Sequence, residues 1–255
     1  MTNIALSGAL GKMGGVITAL VAARSDCDIM AGIDVSFTDH HDYAAFPLCR
    51  NVGDLQRAPD VIIDFSHPCA LPDLLTYCKT KNVPIVVATT GYNADEVSEI
   101  KNAAAQIPVF FTGNMSLGIN LLQDLARRAV RVLGTQFDVE IIEKHHNLKK
   151  DAPSGTALML ADSVNSEYGN NKRYVYDRHS VLKQREPSEI GIHAVRGGTI
   201  VGEHEIIFAG HEEVIRLSHS ALSKEVFAVG AINAAIFLKN QPQGLYDMSD
   251  LLRAV

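Results

Sequence analysis

No stretch of this sequence approaches the ~18 consecutive apolar positions of a membrane-spanning helix. The opening MTNIALSGALGKMGG has no charged segment ahead of an apolar run, so no export signal is read and a cytoplasmic protein is expected. Basic tracts are missing too. With 23 Lys+Arg against 29 Asp+Glu the net charge is -6, without the electrostatic footprint of a nucleic-acid binder. The four cysteines (Cys27, Cys49, Cys69, Cys78) form no CxxC pair and crowd into the first third. They are expected to pack as small hydrophobes in a reducing compartment rather than to form disulfides. Internal repeats and low-complexity segments are absent. There remains an ordinary folded composition, 47% hydrophobic and 20% charged, over 255 residues, enough for one large domain or two modest ones.

The first half alternates strands and helices. Ile4-Ala5-Leu6 is an apolar run ending in Ser7-Gly8, followed by Ala9, Leu10, Gly11, Lys12, Met13 and Gly14, then a helical stretch from Gly15 to Ala23. Strand, glycine turn and helix open a dinucleotide-binding βαβ unit: glycines let the backbone approach a pyrophosphate, and the helix start offers free N–H groups. The spacing is G-x-x-G-x-x-G rather than G-x-G-x-x-G, so the triplet gains its weight from the helix, strand and acid beyond it. That next strand, Ile29–Ile33, ends at Asp34, where a carboxylate can accept hydrogen bonds from an adenosine ribose. Further strands are expected at Val61–Phe65, Val83–Ala88 and Val109–Phe111, with helices at Cys69–Thr80 and, behind an Asn93/Glu96 capping box, to about Ala105. Ligands of such sheets lie at the carboxyl ends of the strands, which here carry Ala88, Thr89, Thr90 and Thr112, Gly113, Asn114, Met115.

After a helix from Ser116 to about Leu133, with Leu117, Leu121, Leu122, Leu125, Ala129 and Val132 at helical spacing, the pattern changes. A strand at 137–144, a helix from Gly155 to about Tyr168, a polar loop over 170–187 and strands near 190–196, 199–209 and 213–218 are expected. Consecutive strands indicate a mixed or antiparallel sheet. The fold class is therefore α/β: a Rossmann-type doubly wound parallel sheet plus a second α+β domain. The dinucleotide-binding domain is expected over 1–115, joined by 229–255 through a last helix, and the substrate-binding domain over 116–228.

Between the second-half strand and helix lies HHNLKKDAPSGT. Ser154 is placed to cap the helix at Gly155, so the N–H groups of Gly155 and Thr156 and the hydroxyls of Ser154 and Thr156 stand at a dipole's positive end, a substrate anion site. His145, His146, Lys149 and Lys150 add positive charge and titratable protons, and Asp151 is close enough to order the lysines. A small dianion with a group to be protonated suits this set. A metal held with Glu143 or Asp151 is disfavoured, since the lysines repel a cation and the spacing matches no common zinc pattern.

HHNLKKDAPSGTA closely resembles the signature of the dihydrodipicolinate reductase (4-hydroxy-tetrahydrodipicolinate reductase) family, His-His-x-x-Lys-x-Asp-Ala-Pro-Ser-Gly-Thr-Ala. GALGKMG, DFSHP, ATTGY, GNMSLGIN, AVRGGTIVGEHEIIFAG and SHSALSKEVFAVGA are similar to family segments as well, so the resemblance spans essentially the whole chain. It implies hydride transfer from NADH or NADPH to a cyclic imine dicarboxylate, giving tetrahydrodipicolinate in lysine and diaminopimelate biosynthesis. It also implies His145 as acid/base, Lys149 as proton donor, and His146, Gly155 and Thr156 as substrate contacts. The cofactor would lie on Gly8 to Met13, Asp34, Ala88 to Thr90 and Thr112 to Met115, and the second domain would build a homotetramer. Met115 departs from the aromatic residue of many members. Lys149 as a charge partner for a substrate carboxylate stays open beside its role as donor. Asp34, with no arginine at Val35 or Ser36, favours NADH at least equally with NADPH. Two rival readings are another two-domain nicotinamide-dependent amino-acid dehydrogenase, which leaves HHNLKKDAPSGT unexplained, and a non-catalytic nucleotide sensor, which would not need His145 and Lys149.

Overall fold

Near-continuous apolar runs in the first half form strands buried on both faces, as a parallel sheet under helices requires. The computed structural model describes residues 1–38 and 45–254. It divides into two units, Met1–Ser116 with Glu225–Val255, and Leu117–Lys224. The first begins β1 (Thr2–Ser7), α1 (Lys12–Ala22), β2 (Cys27–Ile33), the two-residue β3 (Leu48–Cys49), β4 (Val61–Asp64), α2 (Leu71–Lys81), β5 (Ile85–Val87), α3 (Ala94–Ala103) and β6 (Pro108–Phe111). β4 and β5 are buried throughout. Helix α1 starts at Lys12, three residues before the position expected, because Gly14 belongs to its first turn. The Asn93/Glu96 capping box opens α3 as read from sequence. The short β3 is not among the expected strands; two residues carry no periodicity.

The second unit holds α4 (Leu117–Leu133), β7 (Asp138–His145), α5 (Gly155–Glu167), β8 (Arg173–Val175), β9 (Glu189–Arg196), β10 (Gly202–Ala209) and β11 (Val214–Ala221). Its five strands lie in the order β11-β10-β7-β9-β8. β10 runs antiparallel to β7 and β11, whereas β7, β9 and β8 are mutually parallel, giving a mixed sheet. α4 and α5 cover one face, burying Ile119, Leu122, Ala126, Leu160 and Val164 against Ile141, Ile192, Ile206 and Phe208. Two expectations are corrected. The loop over 170–187 contains strand β8. And α4 turns Ile119, Leu122, Ala126 and Val130 inward, leaving Leu121, Leu125 and Val132 exposed. Apolar residues lie on more than one side of this helix, so periodicity fixes that it is a helix but not which side meets the sheet.

The chain then returns to the first unit through α6 (Glu225–Leu238), β12 (Gly244–Tyr246) and α7 (Met248–Arg253). β12 pairs in parallel with β6, completing a seven-stranded sheet in the order β12-β6-β5-β4-β1-β2-β3. Small residues let α6 lie close to that sheet: Ala228, Gly230, Ala231, Ala234 and Ala235 are buried. Among the described residues no helix is long and apolar enough to cross a membrane.

Candidate active site

In the first unit the turn after β1 is made by backbone. Gly8 adopts φ +80°, and a Cβ there would strike the carbonyl of Phe65. A Cβ on Gly14 would strike the carbonyl oxygens of Gly8 and Ala9. Only hydrogen at these two positions lets α1 start against the strand end. Gly11 then caps α1 with no side-chain bond, so the first-turn N–H groups are left to a ligand. Asp34, at the end of β2, accepts hydrogen bonds from the Leu10 N–H at 3.0 Å and from the Ser36 N–H and hydroxyl at 3.0 and 2.6 Å. It clamps the turn and stands at its mouth.

A cavity of about 330 Å³ opens there, lined by Gly8, Gly11, Asp34, Arg50, Ser66 and His67 among others. A glycine cradle, an uncapped helix start and a terminal carboxylate are suited to a dinucleotide's pyrophosphate and ribose, and the residues present fit one. The other segments expected to hold the cofactor follow β5 and β6, at the same carboxyl edge of the sheet. Thr89 is buried, its hydroxyl donating to Asp64 at 2.8 Å, while Thr90 is exposed. Thr112 and Asn114 bond to each other, and Asn114 accepts from the Ser116 N–H at 2.8 Å. Met115 is buried, and Lys12 is exposed.

Sequence reasoning misses two groups here. Arg50 lines the cavity, yet lies 16 positions past Asp34 and beyond the short β3, so no spacing rule reaches it. Asp64, fully buried, accepts from the Ser66 N–H and hydroxyl, Thr89 and Tyr92, tying the loops after β4 and β5 together. Burial first, and the neighbouring Asp64 carboxylate next, push the Tyr92 hydroxyl above the ordinary tyrosine range, so it stays a proton donor.

The second unit builds its site from side chains. His145 ends β7 and is 9% exposed. Its Nδ1 lies 2.6 Å from Glu143, two residues earlier on the same face of the strand. Glu143 is fully buried and also accepts two bonds from Arg196 at 2.7 Å each and the Ser154 N–H at 2.9 Å. Burial alone would raise the Glu143 carboxyl. The bonds from Arg196, His145 and Ser154 outweigh it, and the group lies below the ordinary glutamate range, charged at neutral pH.

Ser154 caps α5 as expected, accepting from the Ala157 N–H at 3.1 Å. It is 2% exposed, and its hydroxyl also meets His204 Nε2 at 3.1 Å, so Ser154 is committed to the helix start while Gly155 is exposed and Thr156 half-buried beside it. His204, on β10, is 5% exposed and stacks edge-on to His145 with ring centroids 5.2 Å apart. Burial, then the nearby His145, pushes the His204 imidazole down to about 4, so it is neutral at physiological pH. Lys149 pairs with Asp151 at 2.9 Å, which holds that carboxyl below its usual range, while Lys150 is exposed. His146 is half-buried with its Nδ1 unpartnered. Among the described residues no three His, Cys, Asp or Glu are placed to hold a metal ion. The network of Glu143, Arg196 and His204 escapes the sequence reading, since β9 and β10 bring its members together by register rather than by proximity in the chain.

Comparison with known proteins covers nearly the whole chain. Residues 2–115 match the model of the dihydrodipicolinate reductase N-terminus, and 118–252 that of its C-terminus. A 4-hydroxy-tetrahydrodipicolinate reductase of Caldanaerobacter subterraneus is 48% identical over 253 residues, 99% of each chain. Another, of Clostridium tetani, is 44% identical over 254 residues, covering 100% of this chain and 98% of the other. Among solved structures, the dipicolinate-bound dihydrodipicolinate reductase of Paenisporosarcina sp. TG-14 superimposes with a TM-score of 0.79 at 25% identity, over 97% of each chain. With both halves matched and relatives at 44–48% identity over nearly the whole chain, the chain belongs to the dihydrodipicolinate reductase family, oxidoreductases of lysine and diaminopimelate biosynthesis.

Proposed function

We propose that the protein converts 4-hydroxy-tetrahydrodipicolinate to tetrahydrodipicolinate, losing the 4-hydroxyl as water and taking up a hydride from either NADH or NADPH and a proton, through the residues read from its sequence. Bound at the glycine turn, the nicotinamide cofactor supplies the hydride. Gly8, Ala9, Leu10, Gly11, Lys12 and Met13 hold the pyrophosphate, Asp34 the ribose, and Ala88–Thr90 with Thr112–Met115 the nicotinamide half. The substrate's carboxylates engage the N–H groups of Gly155 and Thr156, with His146 and Lys149 as cationic or donor contacts. The proton that completes the reduction comes from His145 or Lys149.

The observation that carries this reading is the placement of His145 at the end of β7 and Lys149 on the short loop that follows, ahead of a helix start capped by a buried serine. A relative solved with dipicolinate, a planar cyclic dicarboxylate, supports the substrate class. The test is loss of reduced-nicotinamide absorbance with the fresh product of dihydrodipicolinate synthase. Substrate-dependent oxidation is expected, and none at all with either cofactor would overturn the reading.

We also infer a cytoplasmic homotetramer. The helix-free face of the second sheet supports the assembly. It carries Ile142, Val195, Ile207 and Val214 among ion pairs already satisfied within the chain, such as Lys144–Glu203 and Arg216–Glu205. The free thiols of the four cysteines suit a reducing compartment, although Cys69 is exposed rather than packed. Light scattering giving a monomer mass at micromolar concentration would contradict the assembly.

A further inference from the structure

We propose that Glu143, clamped by Arg196, is the positioning residue that fixes the tautomer and orientation of His145 for proton transfer. This rests on the reading of His145 as the acid/base group and asks what makes it fit for that task.

A neutral imidazole can carry its proton on either nitrogen, and only one choice leaves the outward nitrogen able to accept. Glu143 removes the ambiguity. Its Oε2 lies 2.6 Å from Nδ1, and its charged state makes it an acceptor only, so Nδ1 must be the donor. Nε2 then keeps its lone pair. That nitrogen makes no hydrogen bond among the described residues and packs over Gly202, where an added Cβ would sit 3.1 Å away. When Nε2 takes a proton, the buried carboxylate faces the new imidazolium.

Glu143 is in turn immobilised from three elements. Arg196, at the end of β9, grips both carboxylate oxygens, the Ser154 N–H at the start of α5 holds Oε1, and β7 supplies the backbone. Arg196 also donates to the Asp151 carbonyl at 2.6 Å, so the same guanidinium fastens the loop that carries Lys149. The charged and titratable groups around His145 are therefore Glu143 on β7, Arg196 on β9, His204 on β10 with His219 beside it on β11, and Lys149 with Asp151 on the loop. Of these only Glu143 bonds the ring. A purely structural ion pair would be complete with Arg196 and Glu143 alone; here one carboxylate oxygen is shared between Arg196 and the imidazole.

The test compares the whole chain with five variants. In Glu143→Gln the amide can donate as well as accept. Nitrogen-15 correlation spectra of the ligand-free protein should show the His145 ring changing from a single Nδ1–H tautomer to a mixture. The kcat should fall by about 10²-fold with KM for the cofactor unchanged. Glu143→Asp should restore part of kcat. Should Glu143→Gln fail to fold, Arg196→Lys loosens the clamp while keeping its charge, and the same shifts should follow in smaller degree. Adding Glu143→Gln to His145→Asn should cost nothing further, since the two act as a unit. An unchanged tautomer overturns the proposal. A changed tautomer with native kcat also overturns it, and places the failure in the role given to His145 rather than in its contact with Glu143.

Discussion

The two units solve the problem of holding an anion in opposite ways. In the first, the turn after β1 works through what is missing: no Cβ on Gly8 or Gly14, no side-chain cap on α1, and a single carboxylate at the next strand end. In the second, the helix start of α5 is surrounded by side chains, with a buried arginine-clamped glutamate, a buried histidine pair and a lysine on the loop. A site made of backbone is indifferent to pH and intolerant of added atoms. A site made of buried titratable groups responds to protons. Each half of this contrast can be tested by substitution.

The largest effect is expected from Gly14→Ala. Its methyl group has backbone carbonyls in its way, which cannot rotate aside as side chains do. Cofactor affinity should fall by about 10²-fold, roughly 3 kcal/mol, in a titration followed by nicotinamide fluorescence. The acid-stability profile should keep its native form. Affinity within threefold of native would mean that the turn does not carry the pyrophosphate.

Next comes the acid response of the second unit. His204 holds its proton less tightly in the fold, at about 4, than the ordinary 6.5, so the unfolded chain protonates first as pH falls. The stability due to its neutral form is complete above about 6.5 and drains away toward 4. At about 1.4 kcal/mol per pH unit, that gap is on the order of 3 kcal/mol. Replacing His204 with Phe should flatten the fall in melting temperature between these values. An equally steep fall in the variant would show that the histidine is not the origin. Glu143, whose carboxyl lies below its ordinary range, acts in the same direction but over lower pH, where it becomes protonated.

The smallest effect concerns cofactor choice. Arg50 lines the cavity beside Asp34 and Val35, and a guanidinium there can meet a ribose 2′-phosphate. Arg50→Ala should lower kcat/KM with NADPH by roughly fivefold and leave NADH within about twofold. Equal losses for both cofactors would remove Arg50 from the discrimination.

How far the sequence can be read divides along the same line. The glycine turn, Asp34, the α3 capping box and the Ser154 cap are legible, because each is written within a few consecutive residues and acts through local backbone geometry. Glu143 stands in view beside His145, but its function depends on Arg196, which reaches it only because β7 and β9 pair in parallel at a particular register. His204 enters through the antiparallel register of β10. Arg50 comes just after a two-residue strand with no pattern to detect. The inward face of α4 is not legible because leucines line more than one side of it, and the sheet selects between them. Local signals predict elements, whereas strand register builds the polar network, and no spacing rule encodes register.

Cofactor binding and proton delivery, on this account, reside in separate units. The most direct test is the NADH affinity of the His145→Ala/Lys149→Ala double variant, measured alongside its turnover. Both residues belong to the second unit, whereas every residue assigned to the pyrophosphate and ribose belongs to the first. Native affinity is predicted, within about twofold, with kcat reduced by about 10² or more, roughly the contribution of a placed acid or base. Turnover near the native rate, or NADH affinity reduced about as far as by Gly14→Ala, would show that the two tasks are not divided in this way.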